Sequence, residues 1–140
     1  GPGQDPNSAH AAVIPKFLDA IRRDEPPRIF GDGEQSRDFV FVEDVVAANL
    51  LAAETPGIGG QVFNIATGEA VTLNQTLGLI ESLTGAATNA QRLPERAGDV
   101  RHSLADISKA RRVLGFAPSV SFEEGLRRTI DATRIGVPAG

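Results

Sequence analysis

Asp38-Phe39-Val40-Phe41-Val42-Glu43-Asp44-Val45-Val46-Ala47-Ala48-Asn49-Leu50-Leu51-Ala52-Ala53-Glu54 decides how the chain is read. The opening residues are largely β-branched or aromatic, which predicts a strand over 38–42. Glu43 and Asp44 suit the positive end of a helix, expected from Val45 to Glu54. Thr55-Pro56-Gly57-Ile58-Gly59-Gly60 breaks the chain, and the short apolar run Gln61-Val62-Phe63-Asn64-Ile65-Ala66 reads as a buried strand. Strand, helix and strand in that order form a βαβ unit, and strands this apolar are normally covered on both faces. The expected class is α/β, although two such strands alone make a poor sheet.

Outward from this unit the helical signals multiply. Val13, Ile14, Phe17, Leu18 and Ile21 recur at spacings of three and four, predicting an amphipathic helix over Ala11 to Arg23, with Pro15 tolerated near its start. Pro26 and Pro27 end it, and Arg28-Ile29-Phe30 reads as a short strand before the turn Gly31-Asp32-Gly33. Downstream, Thr72 or Asn74 can cap a helix over Gln75 to Leu83, closed by Gly85, and Asn89 to Leu93 reads as another strand. After the polar stretch Pro94 to His102, Asp106 can cap Ile107 to Leu114, and Ser121-Phe122-Glu123-Glu124 is a capping box for a last helix to about Arg134. No internal repeat or low-complexity tract interrupts this pattern, so residues 1–140 read as one helix-rich domain with short strands.

Composition narrows the function classes. A formal charge of −4 over 140 residues argues against nucleic acid, whose binders carry a basic excess. The longest apolar stretches fall far short of the roughly 20 residues a membrane span needs, so no membrane partner is expected. The absence of cysteine excludes disulfides and thiolate metal sites and fits a cytoplasmic location. His10 and His102 are far apart in sequence, and the plainer reading of each is a solvated side chain. Neither phosphate-loop pattern, G-x-G-x-x-G or G-x-x-x-x-G-K-S/T, is present, and Gly31-Asp32-Gly33 reads as a plain turn.

The arginines carry more chemistry. A diphosphate held without metal usually takes guanidinium groups, whose planar forks match phosphate oxygens in pairs. Arg37, just ahead of the apolar 38–42 run, and Arg96, in Pro94-Glu95-Arg96-Ala97-Gly98-Asp99, are candidates, with surface ion pairs as the alternative. Asp99 can accept from two ribose hydroxyls or cap a loop; Phe30 can face a flat base or fill the core.

Several blocks together resemble a known family. They are Gly1-Pro2-Gly3-Gln4-Asp5-Pro6-Asn7-Ser8, Val13-Ile14-Pro15-Lys16-Phe17, Ile29-Phe30-Gly31-Asp32-Gly33, Arg37-Asp38-Phe39-Val40-Phe41-Val42-Glu43-Asp44-Val45, Phe63-Asn64-Ile65-Ala66-Thr67-Gly68 and Arg96-Ala97-Gly98-Asp99-Val100. Their order and spacing are similar to the NAD-dependent nucleotide-sugar epimerases and dehydratases, extended short-chain dehydrogenases/reductases. Gly3 departs from the usual arginine in the first block.

The resemblance implies a C-terminal nucleotide-sugar-binding domain with the Rossmann core missing, in which residues 38–66 pack on or complete the absent Rossmann sheet. It also implies that Val13 and the Arg28 to Phe30 strand border the uracil, that Arg37 and Arg96 hold the diphosphate, that Asp99 meets the ribose, and that Ser103 lies on the sugar side. A serine at 103, where relatives often carry tyrosine, would leave room for an N-acetylated hexose. The family's G-x-x-G-x-x-G loop and Tyr-x-x-x-Lys pair are absent, and the sequence has no tyrosine at all. NAD is therefore expected in the full-length enzyme and not on this segment, which alone is expected to be inactive. The implied role is the UDP-binding segment of a UDP-hexose 4-epimerase, with a UDP-sugar as partner and self-association through an uncovered strand edge. A dehydratase or reductase segment, or a separate non-catalytic binding or oligomerising module, remains the alternative.

Overall fold

The apolar spacing of the first helix is realised as a buried face. Helix α1, Val13–Arg22, sinks Phe17 and Leu18 into the interior. The computed structural model describes residues 1–8 and 12–133. His10, the first residue expected for α1 (Ala11) and the expected last residue of the final helix (Arg134) lie outside them.

After α1 come strands β1 (Arg28–Phe30) and β2 (Ser36–Arg37), helix α2 (Val42–Glu54), strand β3 (Val71–Thr72) and helix α3 (Leu73–Thr84). Strand β4 (Gln91–Leu93) and helices α4 (Ser108–Leu114) and α5 (Phe122–Thr133) complete the order. The mixture of helices and short strands is as expected, but the sheets are small. β1 pairs in parallel with β4, Arg28 opposite Gln91 and Phe30 opposite Leu93. β2 pairs antiparallel with β3, Ser36 opposite Thr72.

Helix ends follow local chemistry. Thr72 caps α3 by accepting from the Gln75 N–H while the Gln75 side chain accepts from the Thr72 N–H, a reciprocal box. α3 closes at Gly85 and α4 at Gly115, both with positive φ. Asp106 accepts from the Ser108 N–H at 2.8 Å, and Ser121 Oγ accepts from Glu124 N–H at 3.2 Å at the start of α5.

Two expected strands do not form. Residues 38–41 are irregular and α2 begins at Val42, three residues earlier than read from sequence. The aromatic run that suggested a strand packs on a helix instead: Phe39 stacks on Phe122 at 5.2 Å, and Phe41 lies so close to α5 that a Cβ on Gly125 would meet its ring at 2.9 Å. Residues 61–66 are likewise unpaired, with Val62 80% exposed. Among the described residues no strand lies beside either segment, and a strand without a neighbour leaves its backbone groups unpaired. The side chain of Asp38 ties the first segment to the residues just after the second, accepting from Thr67 N–H at 2.8 Å, Thr67 Oγ1 at 2.5 Å and Gly68 N–H at 2.9 Å.

One core cluster joins α1, α3, α5 and β1 through Phe17, Leu18, Ile29, Leu77, Ile80, Leu126 and Ile130. Burying each of these side chains contributes about 1.5–3 kcal/mol. A second, around Ala48, Ala110, Leu114 and Phe116, fastens α4 to α2. Val42, Val46 and Leu50, one turn apart along α2, stay 46%, 53% and 60% exposed. No described helix is long and apolar enough to cross a membrane.

Candidate functional site

Pairing of β1 with β4 brings distant segments together. The Gly31 N–H donates to Leu93 O at 2.8 Å, so the chain leaving β4 runs beside the turn that leaves β1. Ser36 exchanges backbone bonds with the same loop farther on: its N–H donates to Arg101 O at 2.9 Å and its carbonyl accepts from Ser103 N–H at 3.1 Å. Between α1, β1, β2 and residues 96–99 lies a cleft of about 900 Å³.

Val13, Arg28, Phe30, Arg37, Arg96 and Asp99 all line this cleft. Ser103 does not. It is exposed, beyond the point where Ser36 Oγ meets His102 Nδ1 at 2.9 Å. That contact also gives His102 a polar partner.

The Arg37 guanidinium is held in place: Nη1 donates to Ser36 O at 2.8 Å, and Nη2 to Asp99 Oδ1 at 2.8 Å. Arg96 lies over Phe30 of β1, its guanidinium carbon 3.6 Å from the centroid of the ring, a cation–π contact. A ring that sequence left between base contact and core thus carries an arginine on one face.

Sequence reasoning missed Lys16, Gln35 and Asp38 on the cleft wall. Gln35 is buried, donates from Nε2 to Phe30 O at 2.6 Å, and leaves Oε1 without a partner. An unpaired buried acceptor costs about 1–3 kcal/mol. Asp38 lies within the family-like stretch Arg37 to Val45, and no local pattern announces its bonds to Thr67 and Gly68.

A clasp outside the cleft sets the loop that carries Arg96 and Asp99. Arg101 donates from Nη1 to Asp32 Oδ1 at 2.9 Å and from Nη2 to Asp32 Oδ2 at 2.7 Å, and reaches Glu95 at 3.4 Å. These bonds, with the Glu34 N–H donating to Asp32, lower the Asp32 pKa below the ordinary carboxylate value. The same partner raises that of Arg101.

The Gly31–Gly33 turn is crowded by neighbouring side chains. A phosphate-cradling loop opens backbone N–H groups at a helix start. Here a Cβ on Gly33 would collide with Asn74 Oδ1 and one on Gly31 would meet Glu95 Cγ at 2.9 Å. Glu34 and Glu95 add negative charge to that of Asp32. No group of three or more His, Asp or Glu suited to a metal occurs among the described residues.

Known proteins resemble this chain over most of its length. The NAD dependent epimerase/dehydratase family matches residues 1–66. A UDP-glucose 4-epimerase of Mycolicibacterium smegmatis is 40% identical over 96% of this chain and 42% of its own length. Among solved structures, a UDP-glucose 4-epimerase of Thermotoga maritima with UDP-glucose superposes with a TM-score of 0.88 at 47% identity, over 96% of this chain and 42% of that one. A UDP-glucuronic acid 4-epimerase of Bacillus cereus, in complex with UDP-glucuronic acid and NAD, superposes with a TM-score of 0.86 at 32% identity, over 94% and 41%.

The mixture of helices and short strands superposes on the corresponding part of solved epimerase structures. The chain belongs to the NAD dependent epimerase/dehydratase family. The chain spans about two fifths of the length of these relatives.

Proposed function

We propose that this chain binds the UDP part of a nucleotide sugar and serves as the C-terminal, substrate-holding segment of an NAD-dependent UDP-hexose 4-epimerase. The convergence of Arg37, Arg96, Asp99 and Phe30 on one cleft carries the reading, because residues some sixty positions apart share no local reason to meet there. Two arginine forks suit a diphosphate, which can take paired N–H bonds from each. Asp99 suits ribose hydroxyls, and β1 with Val13 offers an apolar border to a pyrimidine.

The reaction itself needs groups this chain does not carry. With no tyrosine in the sequence, a phenol that moves the substrate proton cannot come from here. The chain alone is expected to bind without turning over, and its contribution is to anchor the non-reacting end of the substrate so that the sugar is oriented. NAD would supply hydride chemistry from elsewhere in the enzyme.

Isothermal titration tests the reading. UDP is expected to bind at one site, uridine much more weakly, and Arg96→Ala to weaken UDP by about tenfold or more, the loss of a charge-assisted bond. Equal affinity for UDP and uridine would remove the diphosphate from the account.

A further inference from the structure

We infer that Asp99 acts as an internal stand-in for phosphate, so that the cleft turns away small inorganic anions and opens to ligands that bring hydroxyl donors for the displaced carboxylate. The inference rests on the UDP reading for its natural ligand, but its geometry stands alone. Arg37 is already fixed by the Ser36 carbonyl at 2.8 Å and the Arg101 carbonyl at 3.5 Å, and its remaining fork faces Asp99 Oδ1 at 2.8 Å. The charge that would draw an anion is thus already answered.

The pair is built to be opened. Arg37 and Asp99 side chains are 28% and 39% exposed, so water screens them and their mutual hold is modest. Asp99 sits on a tight turn, its N–H donating to Arg96 O at 3.2 Å with Gly98 at a φ of +83°. The neighbouring cation is engaged too, since Arg96 lies on the Phe30 ring. A bare pyrophosphate that takes Arg37 from Asp99 leaves a carboxylate beside a multiply charged ligand with no donor between them. A nucleoside diphosphate takes the same guanidinium but supplies two ribose hydroxyls, which convert the displaced carboxylate from a repelling group into a hydrogen-bonded one. Asp99 is therefore a specificity-determining residue whose effect has opposite signs on the two ligands.

Asp99→Asn keeps the size of the side chain and removes its charge. Titration of the whole chain with inorganic pyrophosphate is expected to show affinity rising by roughly two- to fivefold, the scale of an exposed ion pair, whereas UDP affinity falls. Thermal melting of both proteins verifies that the variant folds, and Asp99→Ala repeats the test without the amide. Pyrophosphate binding unchanged or weaker in both variants overturns the inference, as does a shift of both ligands in the same direction. If wild type fails to bind UDP but Asp99→Asn still gains pyrophosphate, the internal anion stands and the UDP reading falls.

Discussion

Replacing Arg37 is the sharpest perturbation of the cleft. Its guanidinium reaches the Ser36 and Arg101 carbonyls and Asp99 at the same time, which a lysine ammonium on a flexible stem cannot reproduce in the same plane. If the fork that faces Asp99 is the one a diphosphate takes, Arg37→Ala removes charge-assisted bonds of about 1.5–3 kcal/mol in total. That corresponds to UDP binding weakened by roughly tenfold to a hundredfold. Arg37→Lys keeps the charge and is expected to lose about half of that free energy. The fold should lose far less: the partly exposed pair with Asp99 contributes under about 1 kcal/mol, and the bond to Ser36 O adds about 1 kcal/mol. Calorimetric titration with UDP, run beside thermal melts, separates the two effects. UDP affinity equal to wild type in a folded Arg37→Ala protein would refute the clamp, and so would a loss that merely tracks unfolding.

Asp44 is 1% exposed and accepts from Ser119 N–H, Ser119 Oγ and Val120 N–H, so Asp44→Ala should lower unfolding free energy by about 2–4 kcal/mol, measured in urea, without specific loss at the cleft. The lowered pKa of Asp32 means that its bond to Arg101 supports the native loop above the ordinary carboxylate pKa of about 3.9 and is lost as pH falls through the still lower native value. Hydrogen exchange of residues 94–101 should therefore be faster in Asp32→Asn than in wild type at neutral pH, and the difference should vanish in strong acid; no difference at neutral pH would dismiss the clasp. Because Ser103 lies off the cleft wall, Ser103→Tyr should leave UDP affinity within about twofold while lowering binding of UDP-N-acetylglucosamine relative to UDP-glucose. An unchanged ratio would take Ser103 out of sugar selection.

What sequence revealed and what it concealed divide along range. The starts of α3 and α5 were legible because capping groups such as Thr72 and Ser121 act within a few residues of the backbone they satisfy, and the stops of α3 and α4 because Gly85 and Gly115 take the left-handed conformation there. The inward faces of α1 and α3 were legible because a helical period maps directly onto burial. The 38–42 run misled because aromatic and β-branched residues report burial, not the partner: Phe39 and Phe41 found α5 rather than a strand. At the site, residue type singled out Arg37 and Arg96, but their sharing of one cleft depends on the parallel register of β1 with β4 and on the backbone bonds of Ser36 with Arg101 and Ser103. Arg101 and Asp32, sixty-nine positions apart, left no local trace of their clasp.

The central claim is that Arg37 and Arg96 together hold the diphosphate of a nucleotide sugar. A crystal structure of the chain soaked with UDP tests it most directly. The account predicts diphosphate oxygens within charge-assisted hydrogen-bonding distance, about 2.7–2.9 Å, of both guanidinium groups, with Asp99 turned from Arg37 to the ribose. UDP bound at full occupancy elsewhere, or in the cleft with the Arg37–Asp99 pair intact, would contradict it.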